Sequence, residues 1–328
     1  MPRHAIEREG DDWAVPENQV VSGPFRIERL DEGQLVLMRR DDYAGRRRGN
    51  ANTVTMTRLE VGDDLAPYER SELDAIVDRY AVRPNGTLAA EDEVRLGPVA
   101  ATVYLSFDHI RLGNADLRRA LAHAIARTAV APTLPANYVG ATGGLVPPAL
   151  QGHTPEIVPR FDPELARSHL ERSGARPRLV LATPPGDVGI AEALAGCWQD
   201  VLGLETELVG EVGLAGDRPA DITVSGWLPG YPDPEYYLRL LLQSDSKTNE
   251  GGFSDEIFDG LIERARQERH GRKRLELFHE ADRYAITEQV ALIPLAYVRS
   301  IAFVKPYVHG WWEFGKSCAS FADLVVER

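Results

Sequence analysis

Short runs of alternating apolar and polar residues, separated by turn-forming residues, fill the first hundred positions of the chain. The runs GPFRIERL, GQLVLMRR and ANTVTMTRLEV are typical of strands, because successive side chains of a strand point to opposite faces. Asp-Glu-Gly and Arg-Gly-Asn lie between these runs and predict turns. We therefore expect a β-rich half-lobe at the start of the chain.

From residue 100 onward, helical and strand patterns alternate. After a predicted strand over 100–108, Asn114 is the predicted N-cap of a helix in which Leu117, Leu121 and Ile125 recur every four residues. The remaining elements are predicted in this order: a helix in DPELARSHLERSGA ending at Gly174, a strand in RPRLVLATP, a helix over 188–203, strands in LETELVG and ADITVSGW, and helices over 254–270 and 271–289. The pattern predicts an α/β architecture.

A long β-rich run, VALIPLAYVRSIAFV, follows these helices and contains Pro294. Proline cannot donate to a strand ladder, so it marks an edge, a bend or a change of sheet. We interpret the region of Pro294 as a crossover between two lobes.

Composition and charge narrow the class of protein. A chain of 328 residues with 43% hydrophobic and 27% charged residues is typical of a globular protein with two lobes. The net charge of −13 disfavours nucleic acid as a partner, and Arg46, Arg47 and Arg48 are interpreted as a solvated turn. The chain contains no run of about 18 apolar residues, so a membrane span is not predicted, and its first residues contain no run typical of a signal peptide.

Neither a metal site nor a disulfide is predicted. Cys197 lies in IAEALAGCWQDVLG, where Ile190, Leu194, Trp198 and Leu202 recur at helical spacing, whereas Cys318 is distant in sequence. The chain has no CxxC and no HExxH, so no zinc ligand set is indicated.

The sequence does not predict an enzyme or a bound cofactor. Ser225 lies in VSGW, which lacks the first glycine of G-x-S-x-G, and GATGG at 140–144 lacks the spacing of a phosphate-binding loop and is interpreted as a turn. Asp255 and Glu256 are interpreted as structural carboxylates at the start of a helix. A hydrolase is the least favoured alternative.

The segment 225–237 concentrates aromatic residues among prolines and glycines. Prolines restrict the backbone and can hold aromatic faces in place for a ligand. Next to LRLLL, core packing is favoured for Tyr236 and Tyr237, whereas ligand contact is slightly favoured for Trp227 and Tyr231. We therefore predict a binding wall in this segment.

Several segments, taken in order, resemble the family 5 extracellular solute-binding proteins, the oligopeptide, dipeptide and nickel binders that serve ABC importers. The segments are NQVVSGPFRIERLDEGQLVLMRRDDYAG (18–45), YLSFD to ADLRRALAHAIAR (104–127), GGLVPPALQGHTPEIVPRFDPELARSHLERSG (143–174), GWLPGYPDP (226–234) and IPLAYVRSIAFVKPYVHGW (293–311). Nearly the whole chain takes part in the resemblance.

The resemblance implies an α/β two-lobe, periplasmic-binding-protein-like (type 2) fold with hinge strands. Lobe I would comprise 1–99 and 297–328, and lobe II 100–296. Because family members are longer, lobe I is expected to be incomplete, with uncovered apolar surface that favours self-association.

The implied function is capture of a peptide-like or other small polar solute by hinge closure, for the membrane subunits of an ABC importer outside the cytoplasm. The alternative is a ligand-sensing module with a fused or partner regulatory domain in the cytoplasm, which the missing signal peptide favours.

The resemblance also implies the position of the ligand site. Trp227 and Tyr231 would stand on a cleft-facing loop, and Tyr104 and Tyr297 on or beside the hinge strands. Peptide binders of the family often carry an aspartate where this chain has Gly230, so the usual contact with a ligand α-amino group is absent. Asp233 could reach an amine if the loop bends differently.

Overall fold

The predicted strands and helices occur in the predicted order in a computed structural model that describes residues 2–46, 49–59, 66–77, 92–210, 219–310 and 321–327. The helices Arg3–Glu9 and Ala66–Glu69, in the part predicted to be β-rich, were not predicted. Arg47, Arg48 and Cys318, which were considered above, lie outside these ranges. The strands are β1 (Phe25–Asp31), β2 (Gln34–Arg39), β3 (Thr53–Thr57), β4 (Ala75–Val77), β5 (Val94–Phe107), β6 (Tyr138–Gly140), β7 (Leu179–Ala182), β8 (Thr206–Val209), β9 (Ile222–Trp227), β10 (Leu292–Val304), β11 (Val308–His309) and β12 (Val325–Val326).

The helices are mostly short and amphipathic. They are α1 (Arg3–Glu9), α2 (Ala66–Glu69), α3 (Ala115–His123), α4 (Arg127–Val130), α5 (Pro163–Ser173), α6 (Val188–Leu202), α7 (Glu235–Leu242), α8 (Glu256–Gln267) and α9 (Gly271–Arg283). Contacts between residues divide the chain into two compact units. One unit is formed by 1–97 with 301–328, and the other by 98–300. Strands β5 and β10 each run from one unit into the other along the chain. β10 continues through Pro294, and the division falls after Ser300.

The unit 98–300 is built on a mixed sheet. β7 pairs in parallel with both β8 and β9, and β5 pairs antiparallel with β9, from Thr102 opposite Trp227 to Phe107 opposite Ile222. β6 pairs antiparallel with 296–298 of β10. All residues of β7 are buried, as expected for a strand with parallel neighbours on both sides. The fold class is therefore α/β, as predicted.

Helix ends follow local side-chain chemistry. The side chain of Asn114 accepts from the backbone N–H groups of Asp116 and Leu117, which confirms the predicted N-cap of α3. Gly174 ends α5 in the left-handed conformation, with φ of 64°. Two predicted ends were wrong. α3 stops at His123, so Ile125 is buried outside the helix, and α9 ends at Arg283 and gives way to a π-helical turn.

The buried face of α6 is the predicted stripe. Ile190, Leu194 and Trp198 are each 0% exposed, and Leu202 is also buried. The indole Nε1 of Trp198 donates to the carbonyl of Leu121 over 3.1 Å, which links α6 to α3. Cys197 is a buried free thiol.

A buried arginine joins α3 to the segment before β10. The guanidinium of Arg118 donates to the carbonyls of Val290, Leu112 and Gln289 over 3.0, 2.7 and 2.9 Å. Burial lowers the pKa of Arg118 to about 10. Val290 has a φ of 45°, which is strained for a β-branched residue. The contacts of Arg118 with this turn help to hold that conformation.

A buried carboxyl group lies under the glycine-rich segment 140–144, which was predicted to be a turn. Gly140 instead ends β6, and 141–144 is irregular with a bend at Gly143. Asp282 is 0% exposed, and its Oδ1 accepts from the backbone N–H of Leu145 over 2.9 Å. Burial raises the pKa of Asp282 to about 7. A Cβ on Gly144 would lie 1.8 Å from Oδ2 of this residue, so only glycine fits here. Gly144 therefore allows this segment to pack closely against the side chain of Asp282.

The other unit, 1–97 with 301–328, contains a three-stranded sheet that is partly exposed. β1, β2 and β3 form an antiparallel sheet in which every residue is at least partly exposed. Leu30, Leu35 and Met56 are neighbours across this sheet, and Leu30 and Met56 are 55% and 45% exposed. Among the described residues of this unit, Tyr68, Ile76, Ile301 and Phe303 form one buried cluster. Ala302, Val304, Val308 and Leu324 form another.

Candidate functional site

The predicted binding wall is the loop between β9 and α7. Strand β9 ends at Trp227, which pairs with Thr102 of β5, and α7 begins at Glu235. The end of an interior strand and the start of a helix thus fix both ends of a seven-residue connection, 228–234. Pro229, Pro232 and Pro234 restrict the backbone between these ends.

Three aromatic rings meet at this loop. The rings of Trp227 and Tyr236 lie 5.7 Å apart, and Tyr231 meets Tyr236 edge to face at 4.7 Å. The indole Nε1 of Trp227 donates to the backbone carbonyl of Tyr236 over 2.9 Å. Tyr231 and Leu228 are 47% and 50% exposed. We call Trp227, Leu228, Tyr231 and Tyr236 the aromatic surface.

The aromatic surface is continuous with the core of the unit 98–300. Trp227 and Tyr236 are half-buried and pack against the cluster that contains Tyr237 and Phe278. Tyr237 is fully buried, and its hydroxyl donates to the carbonyl of Ala100. Core packing is therefore confirmed for both tyrosines, and the half-buried Tyr236 also contacts the exposed ring of Tyr231.

Gly230 is needed for the packing of Tyr236. A Cβ at this position would lie 2.8 Å from the hydroxyl oxygen of Tyr236 and 3.0 Å from its Cζ. Any side chain here would have to displace the tyrosine ring. The glycine thus has a packing role that the sequence did not show.

Asp233 is engaged by Arg274 in a two-pronged ion pair. Nη1 and Nη2 of Arg274 donate to Oδ2 and Oδ1 of Asp233, each over 2.8 Å. Oδ1 also accepts from the backbone N–H of Glu235 over 2.9 Å and so caps α7. The hydrogen bond that Arg274 donates to Asp233 raises the pKa of Arg274. Its guanidinium also lies 4.6 Å from the ring of Phe278. An amine that used Asp233 would have to compete with this pair.

Glu235 extends the charge network. It forms ion pairs with Arg266 at 3.0 Å, Arg274 at 3.4 Å and Arg239 at 4.0 Å. Arg266 also pairs with Glu263 at 3.0 Å. Desolvation raises the pKa of Tyr231, with further contributions from Glu235 and Asp233, whereas Arg239 acts to lower it.

Tyr104 and Tyr297 lie in the core of the unit 98–300. Tyr104 lies on β5 opposite Ser225 and is 5% exposed, and burial raises its pKa. Tyr297 lies on β10 and is 2% exposed, and its hydroxyl donates to the carbonyl of Gly144 over 2.8 Å. Their contact with a ligand stays a prediction.

Within the described ranges, no group of three or more His, Cys, Asp or Glu residues could hold a metal ion. None of the helices among the described residues combines the length and the apolar character that crossing a membrane requires.

The chain is similar to known proteins over nearly its whole length. Residues 1–249 match the family described as Bacterial extracellular solute-binding proteins, family 5 Middle. The periplasmic oligopeptide-binding protein OppA of Salmonella typhimurium is 24% identical over 345 residues, which covers 95% of this chain and 61% of that protein. The probable deoxycholate-binding periplasmic protein YgiS of Escherichia coli is 26% identical over 335 residues, with 95% and 62% covered. The chain thus spans about 61% of the length of the first of these relatives.

Solved structures share the fold. The Escherichia coli murein tripeptide binding protein MppA superposes with a TM-score of 0.83 at 20% identity, over 99% of this chain and 68% of that one. Haemophilus influenzae OppA in complex with RPPGFSPFR superposes with a TM-score of 0.82 at 17% identity, over 100% of this chain and 69% of that one.

Proposed function

Because the chain belongs to the family 5 bacterial extracellular solute-binding proteins, we propose that it binds a small solute outside the cytoplasm for an ABC importer. The family match over residues 1–249 carries this proposal. Two similar proteins are named as an oligopeptide-binding protein and a probable deoxycholate-binding protein, so the proposed solute is peptide-like or another small molecule. The protein acts as a binding component, and ATP hydrolysis belongs to its partner.

The aromatic surface is the proposed ligand contact. Exposed aromatic rings with few rotatable bonds lose little conformational entropy on binding. Tyr231 and Leu228 are about half exposed, although large apolar side chains gain free energy by burial. Bound solute would cover these side chains.

We also propose that the solute is enclosed between the two predicted lobes by a hinge motion in β5 and β10. Both strands pass from one compact unit into the other along the chain, which supports this assignment. Enclosure would exclude water and strengthen polar contacts with the solute. Small-angle scattering with and without saturating solute tests the motion, and we expect a smaller radius of gyration with solute. An unchanged radius in the presence of proven binding would contradict closure.

Native mass spectrometry tests the binding function. The protein is incubated with an equimolar mixture of tripeptides and, separately, with deoxycholate. We expect a bound mass with the parent protein, a strong reduction with Trp227→Ala, and no reduction with Phe161→Ala. Phe161 is a matched control, because it is 46% exposed in the same unit but lies outside the aromatic surface.

Thermal melting of the same variants separates binding from folding. Trp227→Ala should lower ligand affinity far more than it lowers stability. A collapse of the melting temperature with unchanged affinity of the folded fraction would make Trp227 a core residue. Absence of any bound mass with the parent protein would count against the proposed function itself.

A further inference from the structure

We propose that the aromatic surface receives an uncharged apolar or aromatic group of the solute and not an ammonium group. This inference rests on the proposed function and specifies the chemistry of its ligand. Three observations at the loop carry it: the composition of 226–232, the pairing of the nearby carboxylates, and the packing at Gly230.

The exposed part of the loop carries no charge of its own. Residues 226–232, GWLPGYP, contain aromatic, aliphatic, proline and glycine residues only. Leu228 and Tyr231 expose about half of their surface. A solute group that covers these side chains contributes most to the free energy of binding if it is itself apolar. A charged group would lose its hydration without gaining a partner of opposite charge.

The nearby carboxylates are already neutralised by arginines. Both carboxylate oxygens of Asp233 accept from Arg274, and one of them also caps α7. Glu235 is paired with Arg266, Arg274 and Arg239. An ammonium group at this surface would have to break a short two-pronged ion pair and would meet the positive charge of the displaced Arg274.

The loop also has no carboxylate at position 230, where the ring of Tyr236 packs close to the glycine. A Cβ at 230 would lie 3.1 Å or closer to three atoms of the Tyr236 side chain. An acidic side chain at 230 would therefore displace one ring of the aromatic surface. The ring and a carboxylate at 230 are alternatives, and this chain has the ring.

Isothermal titration with three defined peptides tests the inference. The peptides are Ala-Phe-Ala, Ala-Lys-Ala and N-acetyl-Ala-Phe-Ala. Burial of one phenyl group predicts a Kd about tenfold lower for Ala-Phe-Ala than for Ala-Lys-Ala. N-acetylation removes the ammonium group and should change the Kd by less than about threefold. A tenfold change in Kd would correspond to the loss of a charge-assisted contact between the ammonium group and the protein.

Variants show which side chains produce the preference. Tyr231→Ala should reduce the preference for Ala-Phe-Ala to below about threefold through the loss of ring contact, and Phe161→Ala should leave it unchanged. Arg274→Gln releases the carboxylate of Asp233 and should strengthen binding of Ala-Lys-Ala. Circular dichroism spectra of all variants confirm that each one is folded.

The possible results separate this inference from the function on which it rests. Tighter binding of Ala-Lys-Ala, or a large loss of affinity on N-acetylation, would overturn the inference and leave the binding function intact. Binding of none of the peptides and no binding of deoxycholate would overturn the proposed function, and the inference with it.

Discussion

Truncation of Trp198 should destabilise the unit 98–300 more than truncation of any one ring of the aromatic surface. Trp198 is 0% exposed between α6 and α3, and its indole N–H donates to the carbonyl of Leu121. Removal of a buried tryptophan side chain costs about 3–5 kcal/mol, because the surrounding structure fills the cavity only in part. We expect a loss of this size for Trp198→Ala.

Two further variants divide the cost between packing and hydrogen bonding. Trp198→Phe keeps much of the volume but leaves the carbonyl of Leu121 without its donor, so the cost should be about 1–3 kcal/mol. Trp227→Ala is the matched control for a half-buried tryptophan, and its cost should be about 1–2 kcal/mol.

Urea unfolding followed by far-ultraviolet circular dichroism measures these changes, because the substitutions alter tryptophan fluorescence itself. Hydrogen exchange measured by mass spectrometry locates the loss, which should appear in peptides from α3 and α6. A loss below about 1 kcal/mol for Trp198→Ala, with unchanged exchange in both helices, would refute the assignment of this stripe to the core.

Three other substitutions probe the backbone and a buried carboxyl group. Gly260→Ala should raise the free energy of unfolding by about 0.5–1 kcal/mol in urea titrations, because Gly260 lies within α8 and a Cβ there meets nothing within 4 Å. Gly144→Ala should lower it by more than about 2 kcal/mol through the clash with Asp282, and a neutral effect would contradict the close packing. Asp282→Asn should remove the pH dependence of stability that the carboxyl group of Asp282 produces. The pKa of Asp282 is about 7 when folded, against 3.8 for the free side chain, so its contribution to stability is lost as the pH rises through this window. Melting curves should therefore show the variant stabilised relative to the parent protein at about pH 8 but not at about pH 4, whereas equal shifts at both pH values would exclude this titration.

Local sequence determined those features that depend on neighbours along the chain. The N-cap at Asn114 and the helix end at Gly174 were predictable, because each depends on the conformational preference of one residue and on backbone groups within three positions. The buried stripe of α6 was predictable because helical spacing places its members on one face. The family was recognisable from the order of several such segments.

The site was predictable only in part. The loop between β9 and α7 and its aromatic rings were evident from sequence, since prolines and aromatics are concentrated there. Tyr236 was assigned to packing alone, because a tyrosine beside a leucine-rich helix gives no sign that it also meets an exposed ring. Its contact with Tyr231 at 4.7 Å depends on how the loop turns back over α7.

Tertiary structure alone decided which charges and carbonyls find partners. Asp233 pairs with Arg274 at a separation of 41 residues, and Arg118 reaches the carbonyl of Val290 at a separation of 172 residues. Among many exposed arginines and carboxylates, sequence does not distinguish these partners, because long flexible side chains pair with whichever opposite charge the fold brings within reach. The requirement for glycine at 144 likewise comes from a carboxyl group on a distant helix. Spacing along the chain encodes the elements, but the partner of a buried or half-buried polar group is fixed only when those elements pack.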